Sequence, residues 1–143
     1  MVIVDTGFWL ALLDRNDSYH LACVRVLKGL NEPLISTTAV LTETSHLILA
    51  RLGSSPIIRF IESISDGLTQ LFEVKHEHLP RVAKLMQKYR NLPMDFADAS
   101  LVILAEQLGH GRILSTDQRD FKTYRWKERQ PFKNLLADTI SHK

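Results

Sequence analysis

Four carboxylates stand where a merely solvated acid is hard to accommodate: Asp5, Glu43, Asp98 and Asp117. Asp5 directly follows the β-branched run Val2-Ile3-Val4, and Asp117 follows a second short apolar run ending at Ser115-Thr116. In open parallel α/β sheets ligands bind beyond the carboxyl ends of the strands, so acids just past two adjacent strands share one crevice. Each of these aspartates is also well placed to cap the helical turn after it, and the sequence alone leaves both readings open. Glu43 has Ala39, Val40, His46 and Leu47 as its helical neighbours, which puts it on or beside an apolar face. Buried glutamate is rare unless paired or metal-bound; the competing reading is a rim position with the carboxylate reaching water. Asp98 lies in Phe96-Ala97-Asp98-Ala99, the first turn of a segment apolar on most sides. The helix dipole favours an acid there, yet a dry carboxylate still needs a partner. Asp95, three residues earlier on the same side, is an equally good N-cap for that helix.

Acids brought this close repel unless a cation or a proton sits between them. No basic residue is an obvious partner inside the expected core, so a divalent cation is the economical explanation. Hard Mg²⁺ or Mn²⁺ takes oxygen ligands, retains waters, and is typically held by a few carboxylates plus a substrate phosphate. The six histidines show no zinc-ligand pattern: His76 and His78 are two apart, and no His-Glu-x-x-His occurs.

The elements that must position these acids follow from periodicity. Residues 2–4 read as a buried central strand, and Asp5-Thr6-Gly7 turns the chain into an apolar helix over 8–13. Asp17 and Ser18 are expected to cap a helix running to about residue 28. A short strand at 34–35 leads through the capping residues 36–38 into a helix that reaches Arg51 and stops at Gly53. Pro56 sits near the first turn of a further helix to about residue 65. A strand over 71–74 follows, then a helix from 78 or 80 to 90, a helix over 96–108 ended by Gly109, and a strand over 112–115. A fifth strand is expected near 124–127 or a little later. Strands alternating with helices argue for an α/β fold, its sheet mainly parallel, with four to five strands and helices on both faces. No repeat, low-complexity run or linker divides the chain, so residues 1–143 read as one domain, the tail from about 131 being the least defined part.

Composition sets the outer limits. Apolar residues at 45% and charged residues at 24% describe a globular protein, and a net charge of +2 excludes a bulk polycation. The single cysteine, Cys23, lies in an apolar helical pattern and excludes an internal disulfide. No signal peptide is recognisable, since residues 1–13 lack a basic n-region and contain Asp5. The longest apolar stretch, about 96–105, is too short to span a bilayer. The expectation is a cytoplasmic protein that does not enter the membrane.

Taken in order, Ile3-Val4-Asp5-Thr6-Gly7, Thr42-Glu43, Pro93-Met94-Asp95-Phe96-Ala97-Asp98-Ala99 and Ser115-Thr116-Asp117-Gln118-Arg119-Asp120-Phe121 resemble the PIN-domain ribonucleases, especially the bacterial VapC-type toxins. The likeness runs over about residues 2–130. It implies a PIN-like α/β/α sandwich around a parallel sheet and hydrolysis of RNA phosphodiester bonds. It places the acidic metal ligands on Asp5, Glu43, Asp98 and Asp117, with Asp95, Thr6, Thr116 and Asp120 as accessory groups around them. It further implies a homodimer, and a cognate antitoxin protein that holds a toxin inactive. The mechanism that fits is metal-ion hydrolysis by one or two ions, with no protein nucleophile. Asp98 and Asp5 would be the central ligands, Asp117 would complete the set, and Glu43 would bind metal or orient the water.

Other chemistries fit less well. A haloacid-dehalogenase-type phosphatase also opens on a strand ending in Asp, but needs a second Asp two residues on, where this chain has Gly7. Receiver domains need a late lysine at a strand end, and no P-loop or G-x-G-x-x-G occurs. The different-class alternative is a catalytically silent PIN-like module that binds RNA or protein. Between residues 119 and 133 the basic Arg119, Lys122, Arg125, Lys127, Arg129 and Lys133 interleave with Phe121, Tyr124, Trp126 and Phe132. That mixture suits RNA phosphates and bases. The favoured reading of its aromatics is an amphipathic edge with Tyr124 and Trp126 turned inward. Phe8 and Trp9 read as core or subunit-interface residues.

Overall fold

The computed structural model describes residues 1–136. Strand β1 (Val2–Val4) leads into helix α1 (Thr6–Leu13), and α2 (His20–Gly29) returns the chain to β2 (Leu34–Thr37). Helices α3 (Thr38–Leu52) and α4 (Ser54–Ser65) precede β3 (Gln70–Phe72), and a 3₁₀ turn at His76–His78 opens α5 (Leu79–Lys88). Helix α6 (Phe96–Leu108) delivers β4 (Arg112–Leu114). The short α7 (Asp120–Thr123) and a hairpin of β5 (Arg125–Trp126) with β6 (Gln130–Pro131) then lead to β7 (Lys133–Asn134). The main sheet runs β3-β2-β1-β4-β7 with every neighbouring pair parallel.

Why β1 takes the centre is visible in its residues. Val2, Ile3 and Val4 are all fully buried, as a β-branched run must be when both sheet faces are covered by crossover helices. Ile3 registers with Ile35 of β2 on one side and Ile113 of β4 on the other. The ends of β1 and β2 are tied by side chains, Ser36 Oγ donating to the Val4 carbonyl (2.7 Å) and receiving Trp9 Nε1–H (3.4 Å). Phe8 and Trp9 are core residues, with Trp9 stacked at 5.2 Å on Phe60 of α4. Cys23 is buried in the same core.

Helix α6 is buried along Ala97 and from Ala99 to Ala105, as its apolar composition demands, and ends where Gly109 adopts φ +78°. Its lead residue, Phe96, departs from that pattern and stands 44% exposed.

Several boundaries differ from expectation. Helix α1 begins at Thr6, because Asp5 already caps it. Helix α2 begins at His20 rather than at the Asp17-Ser18 pair, since Asp17 Oδ1 spends its acceptor on Tyr19 N–H (2.8 Å) within a turn. Strand β3 spans Gln70–Phe72 rather than 71–74, whereas helix α4 starts at Ser54 with Pro56 in its first turn, as expected. The segment near 124–127 supplies β5, whose antiparallel pairing with β6 lies outside the main sheet. The fifth main-sheet strand is the later β7, inside the tail from about 131, of which residues 137–143 lie outside the described residues. Gly111 admits that close return, because a Cβ there would overlap Trp126 and press on Phe132 Cα at 3.2 Å.

Candidate active site

A cleft of about 410 Å³ lies at the carboxyl ends of β1 and β4. Asp5, Glu43, Asp98 and Asp117 all line it, together with Asp95, Asp120 and Thr6. No lysine, arginine or histidine is among its described lining residues. Thr116, expected as an accessory group, is not part of the wall; its hydroxyl lies against Gly7, where any Cβ would overlap it.

Each acid is held by its local element. Asp5 caps α1, with Phe8 N–H donating to Oδ1 (2.8 Å), while its Oδ2 takes a short hydrogen bond from Ser115 Oγ. Asp95 caps α6 by accepting Asp98 N–H (2.8 Å), and Asp98 Oδ2 accepts Asp95 N–H in return (3.4 Å). This reciprocal cap fixes the two acids side by side at the mouth of the cleft. The Tyr124 hydroxyl approaches the same Asp98 Oδ2 at 3.3 Å. Asp117 Oδ1 accepts Asp120 N–H (3.0 Å), and Asp117 N–H donates to Ser115 Oγ (2.9 Å). Glu43 projects from the middle of α3, half-buried, with the Thr6 hydroxyl beside it.

The electrostatics are those of crowded acids with little counter-charge: Arg119 pairs with Asp120 (3.2 Å) and slightly offsets the rise of Asp117, while its own side chain lies outside the lining. Burial pushes the Asp5 carboxyl up to about 7, with Asp117 and Glu43 adding to the rise against the bonds from Ser115 and Phe8. Burial likewise lifts Asp98 to about 7, with the Asp95 charge next in importance. Glu43 and Asp117 are raised as well, each first by burial and then by a neighbouring aspartate, Asp95 and Asp120 respectively. Buried and partly buried acids raised further by one another's company, in a cleft without cationic lining, form a donor set of hard oxygens suited to Mg²⁺ or Mn²⁺. Among the described residues no three acidic, histidine or cysteine side chains stand close enough to make a ready-built metal cage. The acids thus line the cleft without closing on one point, which leaves room for an ion that keeps part of its water, as is usual for Mg²⁺.

Similarity to known proteins agrees with this geometry. The family model for the PIN domain matches residues 2–127. The chain belongs to the PIN-domain family. Ribonuclease VapC26 of Mycobacterium tuberculosis is 25% identical over 124 residues, covering 87% of this chain and 92% of that protein. The crystal structure of VapC20 from the same organism, a toxin that cleaves the sarcin-ricin loop, superposes with a TM-score of 0.77 at 19% identity. That match covers 83% of this chain and 92% of VapC20 and establishes the shared PIN fold.

Two residues that touch the acids were not among the expected site residues. Ser115 lies inside one of the recognised motifs, but nothing in a lone serine announces that its hydroxyl joins Asp5 to the Asp117 backbone. Tyr124 was expected only to turn inward, and it is fully buried, edge-on to Tyr89 and Phe121 at 5.0 and 5.1 Å. Its contact with Asp98 depends on how α7 folds back on α6, which no local pattern encodes.

Proposed function

We propose that this PIN-domain chain, read as one unit, is a divalent-metal-dependent ribonuclease; its relative VapC26 is named as a ribonuclease. The observation that carries the reading is the gathering of Asp5, Glu43, Asp98 and Asp117 in one cleft beyond the strand ends, with no cationic side chain among its lining. Asp5 and Asp98 would be the principal ligands of Mg²⁺ or Mn²⁺, with Asp117 and Glu43 completing the set. A bound divalent ion supplies an activated water and stabilises charge on the phosphate and the leaving oxygen.

The chain's own residues do the positioning. Phe8 N–H and Ser115 Oγ fix both oxygens of Asp5, and the reciprocal cap with Asp95 fixes Asp98. Glu43, its carboxyl raised by burial, stands beside the Thr6 hydroxyl, where it would bind the ion or orient the attacking water. A wider groove of about 800 Å³ adjoins the cleft and shares Glu43, Asp95 and Ala97 with it. The exposed Phe96 ring on its wall offers a base a stacking surface.

The VapC likeness supports a toxin role in the cytoplasm, with a cognate antitoxin protein and a homodimeric state. Among the described residues no helix is long and apolar enough to cross a membrane. Purified protein incubated with a mixed RNA pool should cut with Mn²⁺ and not with EDTA, and Asp98→Asn should abolish cutting while the circular dichroism spectrum stays unchanged. The alternative is a catalytically silent PIN-like module that binds RNA or protein. Retained RNA affinity without cleavage under any metal would establish that module instead.

A further inference from the structure

The family match ends at residue 127, yet β7, at 133–134, lies against β4, the strand that leads into the acidic loop. Asn134 registers beside Ile113, and its half-buried carboxamide reaches along β4 to Ser115. Its Oδ1 accepts Ser115 N–H (3.1 Å) and Leu136 N–H (3.1 Å), while its Nδ2 donates to the Ser115 carbonyl (2.8 Å). Two N–H groups facing one end and a carbonyl facing the other leave the amide a single satisfying orientation. Asn134 thus grips both backbone polar groups of Ser115, extending the β4–β7 pairing by one residue through a side chain.

What it grips matters to the site. Ser115 Oγ donates to Asp5 Oδ2 and accepts Asp117 N–H (2.9 Å), so one hydroxyl sets the separation of two cleft acids. We propose that Asn134 is a positioning residue of the active site: through Ser115 it holds Asp5 and Asp117 at the spacing that binds the metal ion. The inference rests on the nuclease reading above and extends the working unit past the matched domain into the C-terminal strand. Outer partners that orient metal ligands characteristically affect metal affinity or activity by about 10- to 100-fold when removed.

The test compares wild type, Asn134→Ala, Ser115→Ala and the double variant. Mn²⁺ affinity is measured by calorimetry, kcat and KM on a cleavable RNA, and Tm by thermal melts. Each single variant should weaken Mn²⁺ binding and lower kcat by about 10-fold or more with KM little changed. The double variant should be no worse than the weaker single, because both act along one path. Asn134→Asp retains the two accepted bonds but turns the donated one into a repulsive contact of its carboxylate with the Ser115 carbonyl, and it serves if the alanine variant does not fold. Its added negative charge by itself favours a cation, so weaker Mn²⁺ binding in it can only reflect lost positioning. A lower Tm with unchanged Mn²⁺ affinity and kcat would overturn the proposal and leave Asn134 a structural strap. Fully additive losses would overturn it as well. Wild type that neither binds Mn²⁺ nor cuts RNA would remove the nuclease reading and this inference together, an outcome distinct from failure of the variants alone.

Discussion

Replacing Asp5 by Asn should stabilise the protein in metal-free buffer above neutral pH, and destabilise it relative to wild type when Mn²⁺ is present. Asp5 is 5% exposed, and its carboxyl is raised from 3.8 to about 7. Because the folded value lies above the unfolded one, the native state holds the extra proton between those limits. Stability from this group therefore falls as pH rises from about 4 to about 7 and is level above that. The gap corresponds to on the order of 4 kcal/mol, an upper limit because water entering the cleft relaxes it.

Asparagine avoids that cost without losing the local bonds. Its Oδ1 can still accept Phe8 N–H, and its Nδ2 can donate to Ser115 Oγ, whose own proton then turns to the Asp117 carbonyl 3.3 Å away. At about 3 °C per kcal/mol for a chain of this size, a rise in Tm of about 5 °C or more is expected at pH 8 in EDTA. The gain should shrink steadily below pH 7 and vanish only near pH 4, where Asp5 is neutral in the unfolded chain as well. Adding Mn²⁺ should raise the wild-type Tm and leave the variant unmoved, since an ion bound only by the native state stabilises only that state. Melts of both proteins between pH 5 and 9, with and without Mn²⁺, decide the matter. An Asn variant that melts at or below wild type at pH 8 in EDTA would show that the Asp5 charge is not a burden, and the electrostatic account of the cleft would fall.

Gly7→Ala should destabilise by about 1–3 kcal/mol, because the new Cβ overlaps Thr116 Oγ1. Adding Thr116→Ala should recover most of that loss in a denaturant titration, since the next contacts, Thr116 Cβ at 3.5 Å and Asp5 Oδ1 at 3.6 Å, are ordinary ones. No recovery would mean that the fault at residue 7 is in the backbone. Thr44 is fully buried, and its Oγ1 has no hydrogen-bond partner among the described residues. Thr44→Val should therefore raise stability by about 1 kcal/mol, whereas a clear loss in the same titration would reveal a bonded hydroxyl.

The legible parts of the fold were those written in short-range pattern. The run Val2-Ile3-Val4 announced a central strand, and the apolar helix from Phe96 announced burial around Asp98; both descriptions hold in the structure. The α2 start was misplaced because Asp17 serves a turn as readily as a helix, and only tertiary context chooses between them. The last main-sheet strand was less legible still. Lys133–Asn134 is a two-residue strand defined by its pairing with β4, and no periodicity can be read in two residues. Ser115 and Asn134 share that difficulty, for their importance lies in partners 110 and 19 residues away in sequence.

The two readings first open for the site acids, helix cap or ligand, are compatible within one geometry. Asp5 caps α1, Asp95 caps α6, and Asp117 holds the turn that starts α7, yet all three line the cleft. A parallel strand that hands over to a helix leaves free N–H groups at the helix start, on the same side of the sheet as the strand's carboxyl end. An acid at that junction satisfies those donors with one oxygen and leaves its other lone pairs facing the crevice. The cap supplies the rigidity that a ligand needs, since a carboxylate already fixed by a backbone N–H loses little freedom on binding a cation. Capping is thus no argument against a functional role here. The informative difference is burial without a counter-charge, which distinguishes Asp5 from an ordinary capping aspartate such as Asp17, whose carboxylate serves its turn in a partly open position; Asp98 differs in facing Asp95 and Glu43, whose charges add to its rise.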